Sequence, residues 1–441
     1  MKKVLVYPCG TEIGLEVYRA LENDIHYEIW GGSCSYDHGR FVYKKHIDDL
    51  PFITDRSDAE EIRAFDEAIG GYGFDFIYPV MDGVITVFAK YKDLLTPTVV
   101  APDYETCQVT RSKRLSYSRF EKLIPVPHEY ESAAELKPAD YPVFMKPDVG
   151  QGSSGTAVIH DEAELKQLKR NDDSQMLLEL LPGEEFTIDC FTNNAGRLVY
   201  FQGRKRKRIK GGISVNAVFE DRLEFESFAN TINDNLNQRG AWFFQLKEAK
   251  DGSLKLLEIA SRIAGTSGIQ RCVGVNLPLL TLNSFAGMDV DDVIVNDYEI
   301  ELDRALGNCY RTELKYDTVY VDYDDTLVIH GDPTQINAAQ QDPMTDRVNP
   351  TVIAFLYKCL GEGRRLVLIS RHEGDLMADM KALRIEGIFD EVIRLDRSEP
   401  KYRYVTAENA IFIDDSYGER RAVSEHCHIN VFDVPMLECL M

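Results

Sequence analysis

The chain lacks any run approaching the ~20 apolar residues that a membrane-spanning helix needs. Its opening, MKKVLVYPCG, carries two lysines and a short apolar run, but Glu12 follows too soon for a secretory leader. It also lacks CxxC pairs. The 9 cysteines stand singly at 9, 34, 107, 190, 272, 309, 359, 427 and 439. Unpaired spacing and an odd count argue against a disulfide framework and against a zinc site, and suit reduced thiols. Repeats and low-complexity segments are absent too. Positive charge is scarce: 50 Lys and Arg face 73 Asp and Glu, for a formal net charge of -23. That balance excludes broad binding to nucleic acid or to an anionic membrane surface. The expectation is a cytoplasmic protein that meets anionic ligands with local basic clusters and metal ions. A length of 441 residues suffices for two or three domains.

What is present centres on Tyr141 to Thr156, YPVFMKPDVGQGSSGT. An apolar run, Val143 to Met145, ends in Lys146, and glycines follow at 150, 152 and 155. Glycines let backbone N–H groups turn toward an anion, and a lysine on the adjoining strand adds a point charge. The spacing also spells GxGxxG, but a dinucleotide fingerprint opens a helix. Here Thr-Ala-Val-Ile-His follows, which reads as another strand. The stretch is therefore expected to be a loop between antiparallel strands, closing over nucleotide phosphates. A plain glycine-rich hairpin has the same spacing.

Before it, residues 3–7 read as a buried strand, 12–21 as an amphipathic helix, 26–30 as strand, 59–69 as helix, 76–80 as strand and 84–91 as helix. Such alternation predicts a parallel sheet with helices on its faces. Ligands then favour the loops Pro8–Glu12 and Pro79–Gly83 at strand C-terminal ends. Asp82 reads first as a helix cap and second as a substrate contact. Residues 110–127 predict a basic helix and a proline-flanked extended segment; Lys113 or Arg114 could reach a phosphate from it, or the charge run is a solvated face.

After the loop come a helix over 161–168, an apolar strand 175–181 carrying Glu179, then Pro182-Gly183-Glu184-Glu185 and a strand over 186–191. The next strand, 198–209, holds five consecutive cations, Arg204 to Arg208. Alternation along it places Arg204, Arg206 and Arg208 on one face and the two lysines on the other. In a strand such a run suits phosphate better than nuclear targeting or RNA. Residues 241–249 and 254–260 form a hairpin around Asp251-Gly252, with Gln245 and Glu258 isolated among apolar neighbours. A lone buried carboxylate costs several kcal/mol unless paired or metal-bound. Arg262 follows four residues later.

In this order, the lysine with its glycine loop, Glu179–Glu185, the basic strand into Gly211-Gly212-Ile213-Ser214, Gln245 and Glu258-x-x-x-Arg262 resemble the ATP-grasp fold. They are most similar to the branch containing the carbamoyl-phosphate synthetase large chain and carboxylate–amine ligases. The resemblance covers about the first 310 residues and implies an α/β pre-ATP-grasp domain (1–109) and a two-lobed α+β ATP-grasp domain (110–312). It further implies that ATP is clamped between the lobes, a carboxylate is phosphorylated, and an amine or ammonia attacks the acyl phosphate. Lys146 then contacts ATP phosphates, with Lys113, Gly152, Ser153, Ser154, Arg204 and Arg206 as further nucleotide contacts. Glu179 and Leu181 border the adenine, Glu185 holds the ribose, and Gln245 and Glu258 bind Mg²⁺, with Mn²⁺ as an alternative ion. Arg262 faces the γ-phosphate and acyl phosphate. Positioning and charge neutralisation are what phosphoryl transfer needs. One departure stands out: the family's Glu-x-Asn is Glu258-Ile259-Ala260 here, and alanine cannot bind a metal.

Near Leu314 the pattern restarts. A strand over 318–321 ends in Asp322-Tyr323-Asp324-Asp325-Thr326, a loop whose acids need a cation. A strand over 365–369 ends at Ser370, Lys401 follows Pro400, and a strand over 410–413 ends in Asp414-Asp415. Acids, a hydroxyl and a lysine thus gather at the strand ends of a second α/β sheet. The set resembles the haloacid dehalogenase-like phosphatases, over residues 316–441. That resemblance implies a Rossmann-like fold, with Asp322 as nucleophile, Asp324 as general acid/base, and Ser370 and Lys401 on the phosphoryl oxygens. Mg²⁺ would sit on Asp322, Asp324, Asp414 and Asp415. Residues 327–365 and 371–400 are too short for a large cap.

The sequence therefore predicts a bifunctional enzyme, an ATP-grasp ligase fused to a Mg²⁺-dependent phosphatase. Its partners are a small carboxylate, an amine or ammonia, and a phosphorylated small or larger substrate. Relatives of this class often dimerise. Two other readings of the N-terminal half stay open: a regulatory nucleotide-binding module, motivated by Ala260, and a kinase.

Overall fold

The computed structural model describes residues 1–150, 152, 154–168, 175–296, 298–305, 312, 314–331 and 346–441. It divides into two compact units, Met1–Gly307 and Asn308–Met441. Among the described residues no helix is long and apolar enough to cross a membrane, and the eight described cysteines are free thiols.

The first unit opens with five parallel strands, β1 (Lys2–Tyr7), β2 (Tyr27–Gly32), β3 (His46–Ile47), β4 (Phe76–Pro79) and β5 (Thr98–Val99), ordered β3-β2-β1-β4-β5. Val4 and Val6 face one core and Leu5 and Tyr7 the other, so the sheet is covered on both faces. Helix Glu12–Leu21 starts where the Thr11 hydroxyl accepts from Gly14 N at 3.0 Å, and it buries Ile13, Val17, Tyr18 and Leu21. Helix Ala59–Ile69 begins at a reciprocal cap of Asp58 and Glu61. Because β1 lies between β2 and β4, chain order reverses there, and the loops after β1 and β4 flank a crevice.

Two antiparallel sheets follow. The smaller one orders β6 (Glu129–Tyr130), β7 (Val143–Pro147), β8 (Ala157–Ile159) and β9 (Gln175–Glu179) as β6-β9-β7-β8, so the glycine loop joins the antiparallel pair β7 and β8. The expected basic helix is two helices, Tyr104–Arg111 and Lys113–Phe120. They break at Ser112, whose hydroxyl caps the second by accepting from Leu115 N.

The larger sheet contains β10 (Glu185–Thr192), β11 (Leu198–Lys210), β12 (Ile213–Phe219), β13 (Gly240–Glu248), β14 (Leu254–Ala260) and β15 (Glu301–Asp303), ordered β14-β13-β10-β11-β12-β15. Phe186, Ile188, Trp242, Phe244 and Leu246 pack on Phe225, Phe228 and Ile232 of helix Leu223–Asn235. Strand alternation sends Thr187 and Gln245 to the opposite face. On β14 the pairing shifts between Gln245/Leu246: Leu246 faces Leu256, Gln245 faces Glu258, and Leu257 is extra. This β-bulge lets Leu256 stay in the core while Glu258, of the same parity, reaches the other face.

In the second unit, β16 (Thr318–Val321), β19 (Arg365–Ser370), β20 (Glu391–Arg394), β21 (Ala410–Ile413) and β22 (Asn430–Phe432) form a parallel sheet ordered β20-β19-β16-β21-β22. A hairpin of β17 (Val328–Ile329) and β18 (Arg347–Val348) stands beside it. Val319 and Val321 face one core and Tyr320 the other. Chain order reverses at β16, whose C-terminal end carries Asp322.

Candidate functional site

A cavity of about 230 Å³ lies between the two antiparallel sheets of the first unit. It brings together Lys113, Lys146, Gly152, Glu179, Leu181, Glu185, Arg206, Gln245 and Glu258. Ser154 also lines it, whereas Ser153 lies outside the described residues. Gly152 and Gly155 have φ of +63° and +73°, values that a side chain would strain.

Lys146 is the penultimate residue of β7, two residues after Phe144, so both point into the cavity while Val143 is buried behind them. Its ammonium is buried and donates to Tyr117 Oη at 2.8 Å and to the Leu257 carbonyl at 3.3 Å. Among the described residues no carboxylate makes an ion pair with it, and burial pushes it down to about 7. The carbonyl it meets belongs to the extra residue of the β14 bulge. Glu258, beside that residue, makes no hydrogen bond or ion pair with the described residues, and Arg206 Nε is buried without a partner. A buried cation with no carboxylate in direct contact, a carboxylate without a hydrogen bond among the described residues and an orphaned guanidinium N–H fit a phosphate chain with a hard cation. Gln245, paired in register with Glu258, supplies a further oxygen.

The other expected nucleotide contacts are tied locally. Glu185 pairs with Arg206 and, at 3.4 Å, with Lys247. Glu179 accepts from His128 N at 2.8 Å and pairs with Lys255. Lys113 donates to the Asp148 and Gly150 carbonyls at 3.3 and 3.2 Å, bracing the base of the glycine loop.

Arg204 is not part of this lining. It is fully buried, its guanidinium bonded to Asp189 at 2.6 Å and to Thr266. The expected common face for Arg204, Arg206 and Arg208 also fails. Pairing shifts between Arg206 and Arg208, and Arg208 turns out to solvent to meet Asp303. Arg114 likewise serves structure, pairing with Glu129 at 2.8 Å. Asp82 is no cap: Met81 holds the N-cap position, and the Asp82 carboxylate takes a two-pronged contact from Arg262 at 2.7 and 2.9 Å. Burial opposes the charge on Asp82, but Arg262 overrides it and holds the carboxyl below its usual range.

A second cavity adjoins the first, and the two share Gly152, Arg206, Gly212, Gln245 and Glu258. Its other walls are Thr11 and Glu12 after β1, Val80 and Met81 after β4, Ile213 and Ser214 of β12, and Arg262. Ala260 is buried against Phe243 and Ala264, and the Arg262 guanidinium lies 5.3 Å from the Phe243 ring centre. Ala260 thus leaves Glu258 and Gln245 as the oxygen donors on this hairpin.

In the second unit, Lys401 Nζ sits 2.5 Å from Asp322 Oδ1 and 2.7 Å from Asp414 Oδ2, all three buried. Burial pushes both carboxyls up, against the pull of Lys401. Oxygens of Asp322, Asp414 and Asp415 all lie within 4.8 Å of one another, an all-carboxylate set that fits Mg²⁺. Asp415 Oδ1 accepts from Thr326 at 3.2 Å. Asp324 is not in this set. It accepts from Ser370 Oγ at 3.4 Å, and one of its oxygens lies 2.8 Å from His330 Nε2 and 2.7 Å from His372 Nδ1.

Sequence reasoning missed Tyr117, Lys247, Phe144, Leu257, His330 and His372. Lys247 and Phe144 were legible as the same-face neighbours of Gln245 and Lys146. Tyr117 was hidden inside a basic helix.

The family model described as "ATP-grasp in the biosynthetic pathway with Ter operon" matches residues 171–305. A D-alanine--D-alanine ligase of Pediococcus pentosaceus is 40% identical over 60 residues, which span 13% of this chain and 17% of that relative's length. A 3-methyl-D-ornithine--L-lysine ligase of Methanosarcina acetivorans is 24% identical over 259 residues, 56% of this chain and 68% of the relative. An L-amino acid ligase structure from Bacillus licheniformis superimposes with a TM-score of 0.52 at 17% identity, covering 64% of this chain and 74% of that one. Residues 171–305 thus match an ATP-grasp family model, and about two thirds of the chain shares its fold with the L-amino acid ligase structure.

Proposed function

We propose that residues 1–312, which contain the Met1–Gly307 unit, form an ATP-dependent carboxylate–amine or carboxylate–ammonia ligase, with 1–109 and 110–312 as its two working domains. One observation carries this reading: the nucleotide cavity and a second cavity meet at Arg206, Gln245 and Glu258. A carboxylate in the second cavity would lie beside the phosphate end of the first. Bound ATP supplies the phosphoryl group, and a bound divalent cation neutralises its charge. Lys146 holds phosphate oxygens, Glu258 and Gln245 hold the cation, Glu179 and Leu181 border the base, and Glu185 accepts from the ribose. The carboxylate oxygen attacks the γ-phosphorus, the β–γ bridge breaks and ADP leaves, and Arg262, oriented by Asp82, steadies the acyl phosphate. An amine then displaces phosphate from the acyl carbon. With alanine at 260, any second cation is held by phosphate oxygens and water.

The Asn308–Met441 unit we read as a Mg²⁺-dependent phosphatase working over residues 316–441. Asp322 attacks phosphorus to form an aspartyl-phosphate while Asp324 protonates the leaving oxygen; Asp324 then takes a proton from the water that hydrolyses the intermediate. Ser370 and Lys401 hold the phosphoryl oxygens, and Asp322 and Asp414 hold the cation.

The test is ADP release with Mg²⁺ and ATP on Asp322→Asn protein, against pooled amino acids, sugar acids and ammonia. Amino acids come first, because the ligases similar to this chain are named for them. Release that needs one acid and one amine supports the ligase. ATP binding with no release from any pair leaves a regulatory module, the reading Ala260 favours. A stable phosphorylated product without an amide leaves a kinase.

A further inference from the structure

The Mg²⁺-type carboxylates account for only half of the ligand chemistry at the sheet end of the second unit. Asp324 stands apart from them. A single oxygen of it, Oδ1, is approached by His330 Nε2 at 2.8 Å and by His372 Nδ1 at 2.7 Å. The two imidazole rings lie nearly parallel, 14° apart with centroids 6.2 Å from each other. They come from separate segments, one after β17 and one just past β19. Donor atoms of Asp324, His330 and His372 all fall within 4.8 Å of one another.

A second observation gives this cluster direction. The remaining ring nitrogen of each histidine is already held by its own carboxylate: His330 Nδ1 lies 2.9 Å from Asp346 Oδ2, and His372 Nε2 lies 2.9 Å from Asp379 Oδ2. Metal-bound histidines are oriented in this way, with the outer nitrogen donating to a carboxylate that fixes the tautomer and raises ligand basicity. His372 is also fixed by its backbone, whose N–H donates to Ser370 Oγ at 2.9 Å. A side chain at Gly374 would come within 2.7 Å of His372 Nε2, so glycine keeps room for the ring. The side chains of Asp324, His330 and His372 are 35%, 34% and 14% exposed, so the cluster is open to solvent.

We propose that Asp324, His330 and His372 form a binding site for a divalent transition metal of the zinc class, separate from the all-oxygen site of Asp322, Asp414 and Asp415. Imidazole nitrogen selects zinc, cobalt or nickel over magnesium, which prefers carboxylate and water. Two imidazoles and one carboxylate leave a coordination position for water. Bonds of about 2.0–2.2 Å to such an ion require the donor atoms to separate by about half an ångström from their present contacts. Occupation engages Asp324, so under the phosphatase reading the metal removes the general acid/base and stops turnover. The site itself does not rest on that reading.

The test is Co²⁺ titration of the full chain, followed by visible d–d absorption, then displacement with Zn²⁺. One equivalent of Co²⁺ is expected to give the band, and Zn²⁺ to abolish it. His330→Gln and His372→Gln each remove stoichiometric binding. Asp346→Asn and Asp379→Asn keep both ligands and weaken binding by about 10–100-fold. Asp414→Asn leaves the band intact. The proposal is overturned if the wild-type chain gives no band, or if Asp414→Asn abolishes it while both histidine variants retain it. These outcomes are read without any phosphatase assay, so a failed phosphatase reading stays distinguishable from a failed metal site.

Discussion

Lys146 is a cation placed where water cannot solvate it and where Glu258 and Glu129, acting without direct contact, do not offset its burial, so its charge depends on what enters the cavity. Burial pushes it down to about 7, against about 10.4 for an exposed lysine. Between those values the unfolded chain holds more protons than the folded one, so this group's contribution to the stability of the empty protein rises with pH across that window. A bound phosphate chain restores the proton. Nucleotide binding at pH 8 is therefore expected to take up close to one proton, measured by calorimetry in buffers of different ionisation enthalpy. Lys146→Met should abolish that uptake and weaken binding. The two arginines of the basic strand should separate in a similar comparison. Arg204 lies in a fully buried pair with Asp189, and breaking such a pair costs about 3–5 kcal/mol. Arg204→Met should then lower the melting temperature sharply. Arg206→Met, which breaks a less completely buried pair with Glu185, should lower it less and raise the KM for ATP by about tenfold or more, the scale of one lost charge-assisted hydrogen bond.

The β13–β14 hairpin carries the most chemistry of any element, through one irregularity. Its bulge aims Glu258 at the cavity and presents the Leu257 carbonyl to Tyr117 Oη, at 2.8 Å, and to Lys146. Tyr117→Phe removes both the donor that holds this carbonyl and the hydroxyl that Lys146 donates to. The expected cost is about 1.5–3 kcal/mol in nucleotide binding, read as a raised KM with the chain still folded. This device also marks the limit of what the sequence makes legible. The helices over 12–21 and 59–69 and the antiparallel character of the glycine loop follow from caps, apolar spacing and the strand-like Thr-Ala-Val-Ile. Gln245 and Glu258 could be picked out as lone oxygen donors in apolar runs. The bulge could not, because Leu256 and Glu258 share parity and a regular strand would place both on one face. The exit of Arg208 from the cation row has the same cause, a register shift that only the pairing partner reveals. Asp82 escaped for a different reason. A carboxylate at a helix start suits a cap locally, and its true partner, Arg262, lies 180 residues away.

At the scale of the whole chain, the net charge of -23 repels nucleotides, so the cluster of Lys113, Lys146, Arg206 and Lys247 around one cavity must overcome that field locally. The two units also keep separate cores. Among the described residues, the apolar clusters of Met1–Gly307 share no residue with those around Val319, Val321 and Tyr320. Each candidate site draws its side chains from its own unit. If the proposed activities are independent, Lys146→Ala should abolish amine-dependent ADP release and leave phosphatase turnover within about twofold, and Asp322→Asn should do the reverse. Sites that share no residue add their effects, so the double variant should lose both activities and melt as the sum of the single changes. Measuring both turnovers across this cycle, with and without the other unit's substrate, decides the matter. A phosphatase rate that responds to ATP, and loses that response in Lys146→Ala, would mean that the first unit regulates the second, because only a ligand bound in that cavity could report through Lys146.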